Sequence, residues 1–225
     1  MKSAIITGTS TGLGNALAKF FISKGWFVYG ISRSRATIEG NYEHYCVDIR
    51  DKIEVQAAMK DILYVNDGPV DLLINNSAVF DMSEFSKSNI DKIDELIDIN
   101  VKGTMFVTHS ALTTLKDDSK IIFVNSVAGV TEIETQSVYC ASKHAITAFA
   151  AVIGKELRNR GIKVSSIHPG GINTTLWNDA NPYPGSDVSK TIDPYALAEV
   201  IHFIADCKYD IDFKTLKLFP GIEWH

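Results

Sequence analysis

Cysteine, long apolar runs and clustered positive charge are all scarce in this chain, and each scarcity removes a class of protein. The three cysteines, Cys46, Cys140 and Cys207, are odd in number and lack C-x-x-C spacing. Neither a disulfide framework nor a thiolate metal site is expected, and the thiols read as reduced, as in a cytoplasmic protein. No uninterrupted apolar stretch approaches the roughly 18–20 residues that span a bilayer, so no membrane segment is expected. The opening residues read as a core strand, not as the charged stretch and apolar run of a secretory leader. Lysine and arginine form no run, and 27 acidic residues against 22 basic ones give a net charge of −5. That balance argues against nucleic acid as a partner. His44, His109, His144, His168, His202 and His225 show no metal-ligand spacing, so no metal is expected. No repeat, low-complexity tract or linker interrupts the chain.

What is present suits a globular enzyme: 45% hydrophobic and 22% charged residues in a length of 225. That length fits one domain burying roughly 70% of its unfolded surface. Strand-like runs at 4–7, 27–31, 45–47, 72–75, 120–125, 164–168 and 216–219 alternate with helical patterns around 14–24, 52–63, 88–115, 137–159 and 194–205. Continuously apolar strands of this kind are buried on both faces. The expectation is an α/β fold, a doubly wound, mostly parallel sheet of about seven strands flanked by helices. Ligands of such sheets bind at the carboxyl ends of the strands.

The first strand ends in Thr7-Gly8-Thr9-Ser10-Thr11-Gly12-Leu13-Gly14, and Ala16, Leu17, Phe20 and Phe21 then recur at helical spacing. Strand, glycine turn and helix in that order form the context of a dinucleotide fingerprint. Glycines permit positive φ and bring backbone amides to a pyrophosphate at the positive end of a helix dipole. A second constellation is Tyr139-Cys140-Ala141-Ser142-Lys143. Residues four apart share a helix face, and a cation beside a phenol favours the phenolate and lowers its pKa from about 10. Cys140, about 100° round the helix from Tyr139, reads as packing.

With Asn75-Asn76-Ser77-Ala78, Asn100, Ser126 and Pro169-Gly170, these motifs resemble, in order and spacing, the short-chain dehydrogenases/reductases over residues 2 to about 205. The resemblance implies a single-domain Rossmann fold and an oxidoreductase. Tyr139 would be the acid/base, Lys143 would tune it and bind the nicotinamide ribose, and Ser126 would polarise the substrate carbonyl. Asn100 would help hold a water chain to Lys143. Gly8, Ser10, Thr11, Gly12, Leu13 and Gly14 would cradle the nucleotide, with Asp48 and Ile49 at the adenine and Asn75 and Ser77 beside them. Pro169, Gly170, Ile172 and Thr174 would hold the carboxamide. The family's Asn-Asn-Ala-Gly appears here as Asn-Asn-Ser-Ala, which puts a strain of order 1 kcal/mol on Ala78 if that position needs positive φ.

Eighteen residues beyond Gly14, Ser32 stands where an NAD-selective relative carries an acid, and Arg33 follows. A hydroxyl and a guanidinium suit a 2′-phosphate, so NADP(H) is the expected cofactor over NAD(H). The expected activity is reduction of a carbonyl, or oxidation of an alcohol, on a small molecule. The alternative is a regulator or scaffold that binds NADPH without turnover, but such a protein is expected to lose Tyr139 or Lys143. Sugar-nucleotide dehydration or epimerisation needs an extra substrate domain for which there is no room. The stretch 174–192, with Leu176, Trp177 and Asn181-Pro182-Tyr183-Pro184-Gly185, reads as a substrate lid. A homodimer through the long helices near 100–115 and 137–159, or a homotetramer, is implied by the resemblance.

Overall fold

Strict alternation along each strand sends neighbouring side chains to opposite faces, and here both sets are apolar. In β1 (Ser3–Thr7), Ile5 faces one core while Ala4 and Ile6 face the other. In β4 (Val70–Asn75), Leu73 opposes Leu72 and Ile74 in the same way. A sheet greasy on both sides must be covered twice. The computed structural model, which describes residues 1–178, 182–183 and 187–221, shows that cover.

The remaining strands are β2 (Phe27–Ser32), β3 (Tyr42–Cys46), β5 (Leu115–Val124), β6 (Lys163–Pro169) and β7 (Thr215–Leu218). All seven pair in parallel, in the order β3-β2-β1-β4-β5-β6-β7. On one face lie α2 (Lys52–Val65), α4 (Thr104–Ala111) and α5 (Ser137–Glu156), burying Val55, Met59, Val107 and Ile146. On the other lie α1 (Gly12–Ser23) and α6 (Pro194–Asp206), burying Leu17, Phe21, Leu197 and Ile201. Lys120 of β5 joins the layers: its ammonium donates to the carbonyls of Ile204, Ala205 and Cys207 at 2.8, 3.0 and 2.9 Å. A cation there satisfies orphan carbonyls at the end of α6. Among the described residues no helix is long and apolar enough to cross a membrane.

Two stretches differ from expectation. The pattern around 88–115 is not one α-helix: α3 (Ile90–Leu96) widens into π-helical turns over Ile97–Gly103 before α4 begins. Helix then stops at Ala111, and β5 starts at Leu115, five residues before the expected strand. The cause is a bulge. Val70 pairs with Leu115 but Leu72 pairs with Lys120, and Asp118 turns the extra residues at φ +61°. All three cysteines are free; Cys140 packs with Phe80, Leu96 and Ala128. Ala78 is not among the residues at positive φ, so its substitution for glycine carries no such strain.

Candidate active site

The strand order reverses between β1 and β4, and a cleft of about 790 Å³ opens at the carboxyl ends of the strands there. The glycine turn after β1 forms its floor. Gly8 and Gly12 adopt φ +77° and +56°, where side chains are strained. Gly14 is required for another reason: a Cβ there would lie 2.0 Å from the Gly8 carbonyl oxygen and 2.6 Å from Asn76 Nδ2. Thr7 locks the turn to β4. Its hydroxyl accepts from the amides of Asn76 and Ser77, and its carbonyl accepts from Asn76 Nδ2, all at 2.9 Å.

Helix α1 starts from this turn with its end open. Asp51 and Asp193 each accept from two first-turn amides of α2 and α6. The corresponding Thr11 makes no side-chain cap bond, and the first turn of α1 holds no acidic residue. Donors at the positive end of a helix are thus left for an outside acceptor, which fits a dinucleotide pyrophosphate.

At the end of β2, Ser32 is buried with its hydroxyl donating to Ser34 O at 2.9 Å, while Arg33 is exposed at the cleft's rim. Asp48 and Ile49 line the cleft beyond β3. The Asp48 carboxylate is forked by Arg50, with Nε 3.0 Å from each oxygen and Nη2 2.5 Å from one. That guanidinium holds Asp48 below the usual carboxylate range. The cap of α2 is Asp51.

Facing this nucleotide side, α5 and the ends of β5 and β6 bring Ser126, Tyr139 and Lys143 to one wall. Tyr139 and Lys143 lie one turn apart on α5, 8% and 5% exposed, with Nζ 5.6 Å from the phenol ring centre. Burial pushes Tyr139 up to about 12, opposed by the hydroxyl of Ser126. Burial pushes Lys143 down to about 8. The expected lowering of the phenol by Lys143 is therefore not what the fold alone produces. Loss of water disfavours phenolate and ammonium alike. Ser126 also accepts from Ala128 N at 3.1 Å, so it caps its own turn while facing the cleft.

Ser10, Leu13 and Ser77 also line the cleft, as do Pro169, Gly170, Ile172 and Thr174 beyond β6. The segment that follows is tied at both ends: Asn173 N donates to Ile192 O and Ile192 N to Gly171 O, each at 2.9 Å. Of the expected lid, Leu176, Trp177 and Tyr183 line the cleft; Asn181, Pro184 and Gly185 lie outside the described residues.

Two sequence-predicted residues do not line it. Asn75, the last residue of β4, turns inward and donates to Thr108 Oγ1 at 3.0 Å; its neighbour Asn76 takes the cleft side. Asn100 sits in the π-helical turns, 2% exposed. Its oxygen accepts from Val79 N at 2.8 Å, and its amide donates to Val79 O at 2.9 Å and to Ser142 Oγ at 3.1 Å. It thus braces the cleft wall against α5.

Sequence reasoning missed His168. Its ring is fully buried, with Nδ1 2.9 Å from the Ser126 carbonyl and Nε2 2.9 Å from Ser166 Oγ. A carbonyl only accepts, so Nδ1 carries the hydrogen and Nε2 accepts from Ser166. Burial lowers the His168 pKa, which keeps that neutral tautomer and holds Ser126 in place. The signal was polar residues, Ser165, Ser166 and His168, inside an apolar strand. Gln136, Phe80 and Ile133 were missed as well.

The sequence model of the short chain dehydrogenase family matches residues 2–184. An uncharacterised oxidoreductase of Staphylococcus aureus is 30% identical over 210 residues, 89% of each chain. An NADPH-dependent 3-dehydrocapnine reductase of Ornithobacterium rhinotracheale is 29% identical over 205 residues, 83% of this chain and 72% of that one. Among solved structures, an alcohol dehydrogenase of the archaeon Thermococcus sibiricus, complexed with 5-hydroxy-NADP, superposes with a TM-score of 0.86. It shares 22% identity, with 100% of this chain and 99% of that one covered.

Proposed function

The chain belongs to the short chain dehydrogenase family, and from that premise we infer that it is an NADPH-dependent reductase of a small carbonyl compound, with Tyr139 as the acid. The observation that carries this reading is the single wall formed by Ser126, Tyr139 and Lys143, facing an uncapped helix end across one cleft. When bound, the reduced nicotinamide supplies a hydride to the carbonyl carbon.

The residues handle the charge that appears on the carbonyl oxygen. The Ser126 hydroxyl donates to that oxygen, holding it where the charge develops. Tyr139, with its pKa near 12, carries its proton throughout the neutral range and gives it to the oxygen. Lys143, near 8, is largely an ammonium at neutral pH and stabilises the phenolate left behind. Solvent then returns the proton to Tyr139. Asn76 and the glycine turn orient the nucleotide, and Asn100 and His168 fix the elements that carry Ser126 and Lys143.

Preference for NADP(H) is supported by Arg33 and by the lack of a carboxylate at the end of β2. The name of the Ornithobacterium relative points the same way. The test is NADPH oxidation against a panel of aldehydes and ketones, with Tyr139→Phe as the comparison. Removing the general acid should cost about 10²–10⁴-fold in turnover while NADPH still binds. Full activity in Tyr139→Phe would overturn the mechanism.

A further inference from the structure

The cleft divides by chemistry. Among the described residues its charged side chains are Arg33 and Asp48, on the β2–β3 side, and the reactive Lys143. Beyond Ser126 and Tyr139 the described lining includes Phe80, Val127, Ile133, Thr175, Leu176, Trp177 and Tyr183. Not one of these carries a charge, so an anionic group placed among them would lose its hydration uncompensated. The aromatic part of the wall is set in advance. Phe80 meets Tyr139 edge-to-face at 4.8 Å between ring centres, and Trp177 meets Phe80 at 5.3 Å and Tyr183 at 5.0 Å. Trp177 is pinned by its indole N–H, which donates to Ile172 O at 2.9 Å. Rings locked in T-shaped contacts offer flat faces and edges to a planar guest.

A neutral amide also lines this surface. Gln136, 6% exposed, lines the cleft one helical turn before Tyr139. Its backbone is engaged, the N–H donating to Ile133 O and the carbonyl accepting from Cys140 N, while its side-chain amide is not among the buried atoms shut off without a partner and keeps contact with solvent. The residue before it, Thr135, holds φ +65°. That left-handed conformation is an outlier for a β-branched residue and is kept only where the surroundings enforce it. An amide open to the cleft, beside the proton donor, is available to pair with a ligand.

Building on the reductase reading, we propose that the substrate is a neutral carbonyl compound with a planar apolar body and a second uncharged hydrogen-bonding group, which Gln136 reads. The body lies against Phe80 and Trp177, the reacting oxygen meets Tyr139 and Ser126, and the second group meets the Gln136 amide. A hydrogen bond made by that amide to the substrate discriminates against the analogue lacking the group.

Three aryl ketones that differ only beside the carbonyl test this: α-hydroxyacetophenone, propiophenone and benzoylformate. The readout is the ratio of kcat/KM for the hydroxyketone to that for propiophenone, in the wild type and in Gln136→Met. Comparing the ratio across enzymes cancels the intrinsic reactivity of each ketone. It should fall by about tenfold in Gln136→Met, the worth of one neutral hydrogen bond, and benzoylformate should be the poorest substrate of the wild type. A purely structural Gln136 would lower both ketones by one factor, and an unchanged ratio would overturn its assignment. Benzoylformate turned over as well as propiophenone would overturn the requirement for neutrality. Melting and NADPH binding confirm that the variant is folded; if it is not, the slightly smaller Gln136→Leu gives the same ratio. Failure of all three ketones, with simple aldehydes still reduced in a Tyr139-dependent way, would overturn the substrate class and leave the reductase standing. No Tyr139-dependent turnover of any carbonyl compound would overturn both.

Discussion

On the proposed reading, cofactor choice turns on Arg33. It is exposed at the rim of the cleft, and no carboxylate stands at the end of β2 to repel a 2′-phosphate. Charge-assisted hydrogen bonds of this kind contribute about 1.5–3 kcal/mol. Arg33→Ala should therefore lower the NADPH-to-NADH affinity ratio by about tenfold or more, measured by titrating both cofactors; an unchanged ratio would make Arg33 a solvated loop charge. Lys143 governs pH dependence at the same scale. Reductive kcat/KM reports the free enzyme, so it should be level below about pH 8 and fall above it as Lys143 loses its proton. Tyr139, near 12, adds no break of its own in that range. These residues were legible because their chemistry requires fixed types at fixed spacing. Gln136 and His168 were not, because what singles them out is a cavity and a carbonyl reached through space. Nor does a sequence say which of Asn75 and Asn76 turns outward, since that depends on where β4 leaves the sheet.

At the scale of elements, α1 trades its own stability for a ligand. Its end is left uncapped where α2 and α6 each receive an aspartate. Thr11→Asp should cap the first turn and complement the dipole, stabilising the ligand-free protein by about 1 kcal/mol, or roughly 2–4 °C in Tm. The same carboxylate should repel a pyrophosphate, so NADPH should raise the Tm of the variant less than that of the wild type. Melting curves with and without NADPH read both effects, and equal NADPH shifts would place the pyrophosphate elsewhere. Every strand, and the helices α1, α2, α5 and α6, were legible, because runs of strand length and helical spacing are local signals. The early start of β5 was not. Its bulge at Asp118 is set by pairing with β4, which lies more than forty residues away in the chain.

Over the whole molecule, His44, His168 and His202 all have pKa values lowered, first by burial. The unfolded chain protonates them near pH 6.5. Below that value the unfolded state binds protons that the folded state resists, so stability is lost as pH falls from about 6.5 toward the depressed folded values. Above about 6.5 these groups contribute no slope. The urea midpoint should drop between about pH 7.5 and about pH 5.5, and a constant midpoint would show that the imidazoles titrate as in the unfolded chain. The architecture itself was the most legible property, since seven apolar runs alternating with helices admit few arrangements. The widened turns at Ile97–Gly103 have a different kind of consequence. A π-helical turn holds more residues than an α-turn, so it offsets the angular phase at which the side chains of α4 follow those of α3. Asn100 sits within that offset, where its amide ties Val79 to Ser142 of α5.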